Sequence, residues 1–332
     1  MTGYRDQLAQ ALRAVAVTSP TSYSWFGRRS RPLPEAVRAA LRADTAREYL
    51  IGLLEHELYR SFYTQGRPIP ANLSGIDSTR ADGAFVDALS RANTGVGGWE
   101  HGWRVEALEQ RFLVVTRNGL RVRAQAADCG PPGAAHAPGA AVTVRRPKEL
   151  LTASPGFYTA LGDTEVMASP EDSEVRIYFN VRAAGAVPLV AVCTRLLNQA
   201  KVPFDLKVID RPADFLRCDA AVLYLTDDAF ERAREPLRTI ASACANHLVG
   251  EPPAFTKPLR RGVAVGEHRA RLGTSFGSAR CRLVAEGIVA AYESGVRRLS
   301  DRVDAVARCF AHKGLDIDSP YLAPGSTDRY DI

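Results

Sequence analysis

Apolar residues recur at helical spacing through the first hundred positions and then switch to alternation. Pro34-Glu-Ala-Val-Arg-Ala-Ala-Leu-Arg-Ala opens with a proline, tolerated in a first helical turn, and continues with strong helix formers. Between residues 45 and 63, Tyr49, Leu50, Leu53, Leu54 and Leu58 fall on one side of a second helix, which Gly66-Arg-Pro-Ile-Pro ends. A third helix is predicted over residues 83–93, stopping at Thr94-Gly-Val-Gly-Gly. From residue 100 to 146 the period drops to two. Trp103-Arg-Val-Glu-Ala-Leu, Phe112-Leu-Val-Val-Thr-Arg and Leu120-Arg-Val-Arg-Ala-Gln, with Arg117-Asn-Gly as a hairpin turn, predict a small antiparallel sheet. The loop over residues 130–139 has nothing large to bury, and partial disorder is expected there. Beyond it, strands over 175–182, 204–209 and 220–225 alternate with helices over 188–200, 228–247, 278–293 and 296–312, the last with Val296, Leu299, Val303, Val306 and Phe310 on one face. The fold class is α+β: a helical N-terminal region over 1–97, a small antiparallel β region over 98–148 and an α+β region over 149–332, the first half packed against the second.

Alternate side chains of a strand point to opposite faces. In Arg176-Ile-Tyr-Phe-Asn-Val, Ile177, Phe179 and Val181 share one face and Arg176, Tyr178 and Asn180 the other. Leu206 and Val208 oppose Asp205 and Lys207, and Leu223 and Leu225 oppose Tyr224. Placed side by side, these strands give one apolar face for helices to cover and one polar face carrying Arg176, Tyr178, Asn180, Lys207 and Tyr224. A solvated face accounts for the charges one at a time. Two tyrosines among them fit it poorly, because aromatic rings gain from burial and their hydroxyls need partners. Downstream, Phe255-Thr-Lys-Pro-Leu-Arg-Arg-Gly-Val and the stretch from Gly266 to Arg280 form a second concentration of polar and flexible residues. His268 is expected in an arginine-rich loop, and Gly273-Thr-Ser-Phe-Gly-Ser reads as a loop entering the helix near Ser278. A helix N-terminus with hydroxyls and arginines is a ready anion site.

Composition narrows the class without deciding it. The chain has 332 residues, 46% hydrophobic and 24% charged, as ordinary globular proteins do. Its net charge of +6, carried mostly by arginine, favours an anionic partner. The basic residues are dispersed among acidic ones, without an aromatic-basic RNA-binding signature or zinc-finger spacing, so nucleic acid is not expected. A phosphate group gripped by a few arginines fits. No apolar run approaches the roughly 18 residues that span a bilayer, and the N-terminus has no signal-peptide core, so no membrane partner is expected and the location is read as cytoplasmic. Cys129, Cys193, Cys218, Cys244, Cys281 and Cys309 are scattered with no CxxC pair, which reads as reduced, mostly buried thiols rather than a metal site.

The runs Arg176-Ile-Tyr-Phe-Asn-Val, Val202-Pro-Phe-Asp-Leu-Lys-Val, Cys218-Asp-Ala-Ala-Val-Leu-Tyr, Phe255-Thr-Lys-Pro-Leu and Ser275-Phe-Gly with Arg280 and Ala285-Glu-Gly resemble the HopA-type effector family. Leu89-Ser-Arg-Ala-Asn-Thr-Gly, Trp99 and Gly102-Trp extend the resemblance, which covers roughly residues 85–290. That family includes type III secretion effectors. It also includes proteins encoded beside an aminoglycoside-phosphotransferase-like Ser/Thr kinase in pathways to modified peptides, such as class V lanthipeptides and thioamide-containing relatives. The resemblance implies a two-protein dehydratase without metal or organic cofactor: the kinase phosphorylates a precursor peptide, and a protein like this one eliminates the phosphate, leaving dehydroalanine or dehydrobutyrine. With no Ser-rich, secretion-like N-terminus, the biosynthetic setting is expected over the secreted effector.

A more distant similarity, to phosphothreonine lyases, implies roles. Lys207 matches their base, Arg217 an arginine and Tyr224 a tyrosine of the site, and Arg176 stands where they have a first lysine. Tyr178 stands where their acid histidine is expected, which leaves three alternatives: the tyrosine takes over, another residue such as His268 does, or the activity differs. Elimination needs a base for the weakly acidic Cα proton, stabilisation of the enolate and help for the leaving phosphate. Lys207 serves as base only if burial and neighbouring arginines lower its pKa. Arg176, Arg217 and Arg280 are candidates for bidentate phosphate binding, Lys257 for binding phosphate or capping its loop, and Glu286 for orienting an arginine. The competing class is an inert phosphopeptide- or leader-binding subunit that partners a kinase.

Overall fold

The computed structural model describes residues 3–70, 81–131, 136–166, 173–269 and 274–332. Helix α1 (Tyr4–Ala14) leads into a three-stranded antiparallel sheet of β1 (Val15–Ser19), β2 (Ser22–Trp25) and β3 (Arg28–Arg29). Reading residues 1–97 as mainly helical missed this sheet, because its strands are too short to display a period of two. Helices α2 (Glu35–Ala40), α3 (Ala43–Ser61) and α4 (Gly83–Ala92) follow. Leu50, Leu54 and Leu58 of α3 are buried as the spacing predicted, joined by Ala46 and Ile51.

The second sheet, of order β6-β5-β4-β8-β7, comprises β4 (Gly98–Glu109), β5 (Phe112–Arg117), β6 (Leu120–Gln125), β7 (Cys129–Gly130) and β8 (Ala141–Arg146). Its second hairpin, between β5 and β6, turns at Asn118 and Gly119, both with positive φ (49° and 80°), the conformation an Asn-Gly pair tolerates best. Of the loop predicted over 130–139, residues 132–135 lie outside the described ones.

The third sheet positions the candidate site. Its elements are β9 (Glu149–Leu150), β10 (Phe157–Leu161), β11 (Ser173–Phe179), α5 (Ala183–Gln199), β12 (Asp205–Ile209), β13 (Ala221–Thr226), α6 (Asp227–Ala243), β14 (Lys257–Arg260), β15 (Val263–Arg269), α7 (Phe276–Glu293) and α8 (Leu299–His312). The seven strands run β14-β15-β11-β13-β12-β10-β9, every neighbour antiparallel. Hence β11, β13 and β12 are contiguous, and β15 flanks β11 where a polar loop was expected. Val263-Ala-Val-Gly-Glu-His is buried on both sides, which hides the alternation that marks a half-exposed strand.

Both faces of this sheet are covered. On one, Ile177, Phe179, Leu206, Val208, Leu223 and Leu225 pack under α5 and α6. On the other, Tyr178 and Val222 join a core with residues of α1, α3, α7 and α8. The α+β class is as the sequence predicted, but the polar face is roofed by helices rather than left open.

Two glycines test how tightly that roof is packed. A Cβ at Gly287 of α7 would sit 2.5 Å from the Val306 Cα of α8, whereas one at Gly52 of α3 meets nothing within 4 Å. Gly287→Ala is expected to destabilise by about 1–3 kcal/mol through forced separation of the helices. Gly52→Ala should instead stabilise by about 0.5–1 kcal/mol, since alanine is the better helix former. Urea unfolding of both variants checks the pair; equal shifts would mean that α7 and α8 can move apart freely.

Candidate active site

Strand register fixes which side chains meet. Asp205, Tyr224, Arg176 and Gly266 form one row across β12, β13, β11 and β15. Thr159, Lys207, Val222, Tyr178 and Ala264 form the next. Lys207 and Tyr178 therefore stand two strands apart on one face, about 10 Å between backbones at ordinary strand spacing. The Tyr224 ring lies between two cations, with the Arg176 guanidinium 5.2 Å and the Lys207 Nζ 5.4 Å from its centroid. Asn180, predicted on this face, falls beyond the end of β11 and donates instead to the Glu251 carbonyl at 2.8 Å.

The roof is shaped to this face. Ser275 caps α7 by accepting from the Ser278 N–H at 3.1 Å. The next residue, Phe276, fills the place that Gly266 leaves empty, for a Cβ there would come within 3.0 Å of its ring. Gly277 follows because Tyr63 occupies its side-chain space; a Cβ at Gly277 would lie 2.3 Å from that ring. The turn expected at Gly273-Thr-Ser-Phe-Gly-Ser is thus a packing motif from Ser275 onward; Gly273 lies outside the described residues.

Charges on the face are mostly matched. Arg217 is held bidentately by Asp219 (2.6 and 2.7 Å) and touches the Tyr59 hydroxyl at 3.3 Å. Arg176 donates to Glu174 at 2.6 Å. Lys207 makes no hydrogen bond or ion pair with a described residue. Burial lowers its pKa and Arg176 lowers it further, against weaker opposition from Glu174 and Asp205. Tyr178 is 2% exposed, and burial raises its pKa, so the hydroxyl keeps its proton. That hydroxyl faces Tyr63 and Arg176, yet no donor–acceptor pair among them closes with hydrogen-bond geometry. The Thr159 hydroxyl, beside Lys207, is likewise buried and has no hydrogen-bond partner among the described residues.

The remaining predicted residues separate. His268 is not in a loop; it pairs with Glu174 across β15 and β11, is buried, and donates Nε2–H to the Thr274 carbonyl at 2.8 Å. Burial and the nearby Arg176 lower it to about 4, so the ring is neutral and a poor proton donor at neutral pH. Arg280 reaches the same side of the sheet, but its Nε and Nη2 are taken by the Pro320 and Leu322 carbonyls (2.7 and 2.9 Å), and burial lowers it to about 10. Lys257 pairs with Val265, on the opposite face, and is tied to Asp328 at 2.6 Å and the Tyr330 carbonyl at 2.8 Å. It neither approaches Lys207's row nor caps its own loop. Glu286 does meet an arginine, Arg282, at 3.2 Å on the outer side of α7.

Residues 150–322 match the HopA1 effector protein family. The chain belongs to that family. Every predicted site residue falls inside the matched span, whereas Tyr59 and Tyr63, which cover the same face from α3 and the turn after it, lie outside. Two solved structures are similar in outline. One is an effector protein from Pseudomonas syringae pv. tomato strain DC3000, at 14% identity and TM-score 0.47, covering 87% of this chain and 93% of the other. The other is an effector protein from Pseudomonas syringae pv. syringae strain 61, at 14% identity and TM-score 0.48, covering 83% and 91%. No curated protein sequence matches. Sequence reasoning overlooked Tyr59, Tyr63, Glu174 and Asp219. Asp219 could have been found from its Arg-x-Asp spacing to Arg217, and Glu174 from sharing its strand face with Arg176.

Two outcomes follow for this HopA1-family chain. Tyr178→Phe removes a buried hydroxyl that has no hydrogen-bond partner among the described residues, so stability should hold or rise by up to about 1 kcal/mol in urea unfolding; a clear loss would reveal a bond the hydroxyl makes. His268 is neutral when folded and protonates near 6.5 when unfolded, so stability is complete above pH 6.5 and falls as pH drops towards 4. That component is worth up to about 3 kcal/mol, and His268→Gln should flatten the pH dependence in that window.

Proposed function

We propose that this HopA1-family protein is a phosphoserine and phosphothreonine lyase. In this reading it takes a precursor peptide phosphorylated by an aminoglycoside-phosphotransferase-like kinase and leaves dehydroalanine or dehydrobutyrine. The observation that carries it is Lys207: half-buried, without a hydrogen bond or ion pair among the described residues, lowered in pKa, and in one row with the Tyr178 hydroxyl, which also has no hydrogen-bond partner among them. Its neutral amine takes the Cα proton; that electron pair forms the Cα–Cβ double bond; the Cβ–O bond breaks, and phosphate leaves with a proton from Tyr178. Arg176 holds the phosphate, since its guanidinium meets Glu174 through Nε and keeps further donors for an anion. Arg217 and Arg280, both committed to internal partners, shape the field around the site. A neutral His268 hydrogen-bonded to backbone supports Tyr178 over His268 as the acid.

Mass spectrometry of a synthetic phosphothreonine peptide incubated with the protein in EDTA is the direct test. A loss of about 98 Da, phosphoric acid, is expected, falling at least about a hundredfold in Lys207→Ala while peptide binding persists. The rate should rise with pH as Lys207 deprotonates, a rise that Lys207→Ala lacks. An unchanged peptide, also when the kinase and precursor are supplied, would instead favour the phosphopeptide-binding subunit.

A further inference from the structure

A cavity of about 840 Å³ opens on a different face of α3 from the one that carries Tyr59. Tyr49, Leu53, His56, Glu57 and Arg60 recur at helical spacing along its floor, and Arg28, Arg29 and Arg31 form its rim. The helix is about 10–12 Å across with its side chains, so the groove and the candidate active site are neighbours through one helix.

The groove is basic and stays so. Its carboxylate, Glu57, accepts from the Tyr23 hydroxyl at 2.8 Å and the Ser61 hydroxyl at 2.5 Å, and is outnumbered by Arg28, Arg29, Arg31 and Arg60. Arg28, Arg29 and Arg31 make no hydrogen bond or ion pair with a described residue through their side chains. Many exposed arginines elsewhere are paired, among them Arg5 with Asp318, Arg121 with Glu106 and Arg123 with Glu109. Between the charges the lining is aliphatic, with Pro32, Leu33 and Leu53. The outer edge of β3 has no strand partner among the described residues and leaves backbone groups for an extended chain. Single-stranded nucleic acid would need a series of open aromatic faces for stacking; of the groove's aromatics, Trp25 and Tyr23 are 3% and 7% exposed, the Trp25 indole N–H is spent on the Ile69 carbonyl at 2.7 Å, and Tyr49 alone is half-buried.

We infer that this groove binds an extended polypeptide stretch that alternates acidic and aliphatic residues. It would belong to the peptide substrate, outside the phosphorylated residue. The inference rests on the lyase reading only for which chain supplies that stretch. Anchoring there would hold the substrate while the phosphorylated residue reaches the sheet face beyond α3, converting a bimolecular encounter into a local one.

The test is fluorescence anisotropy with a fluorescein-labelled peptide of alternating glutamate and leucine, on the full chain. Saturable binding is expected, weakened at least about tenfold by the combined R28E, R29E and R31E variant and by raising salt from about 50 to about 500 mM. Hydrogen exchange on the unmutated protein should show protection at residues 28–34 and along α3. Equal binding of a glutamine-for-glutamate peptide would overturn the inference. So would undiminished binding by the variant at an unchanged melting temperature, or protection located elsewhere. A uridine oligonucleotide that binds more tightly and loses affinity in the same variant would make the groove a nucleic-acid surface instead. The probe carries no phosphate, so this result stands apart from that of the elimination assay.

Discussion

A cationic side chain on a sheet face that helices cover must find a counter-charge or give up part of its preference for being charged. Four cations meet that constraint at this face: Arg176 on β11, Lys207 on β12, Arg217 shortly before β13 and Arg280 on α7. Arg176 and Arg217 are answered by carboxylates two residues away, Glu174 and Asp219. Arg280 has backbone carbonyls. Lys207 has no ion pair among the described residues and faces the Tyr224 ring, so its amine gives way in pKa. An unmatched lysine in a well-matched field is costly to maintain, and it is the kind of group that proton-transfer chemistry uses.

The surroundings keep that imbalance in place. Phe276 and Tyr63 fill the spaces above Gly266 and Gly277, which holds the α7 N-terminus down on the strand carrying Arg176's neighbours. Asp205, at the head of β12, is bound by Arg146 of β8, so the small second sheet is tied to the strand that bears Lys207. The segment after α8 supplies the carbonyls for Arg280 and buries Tyr330 beside Phe230, where the hydroxyl meets Glu267. Lys257, satisfied by Asp328 in that same segment, belongs to this strap rather than to the site. Among the described residues no helix is long and apolar enough to cross a membrane.

The amphipathic helices and the alternation in β11, β12 and β13 were legible, because each element has enough turns or residues to display its period. Their antiparallel adjacency, which brings Arg176, Tyr178, Lys207 and Tyr224 together, required only that their apolar faces share one core. What the sequence hid has physical causes. A strand buried on both faces shows no alternation, so β15 read as loop and His268 as solvated. Arg280 and Lys257 looked like free cations because their partners, carbonyls at 320–322 and Asp328, come from a distant segment without a motif of its own. Tyr59 and Tyr63 read as ordinary helix positions until the fold set the Tyr59 hydroxyl against Arg217 and Tyr63 beside Tyr178.

The central claim is that the sheet face makes Lys207 a base. Its most direct test is an NMR titration of the lysine side-chain amines in isotopically labelled protein, with Lys207→Arg to assign the resonance. Lys207 is expected to titrate below the ordinary lysine value of 10.5, and to move back up when Arg176→Gln removes its nearest like charge. Titration at or above 10.5, unmoved by that substitution, would contradict the claim and leave Lys207 an ordinary surface cation.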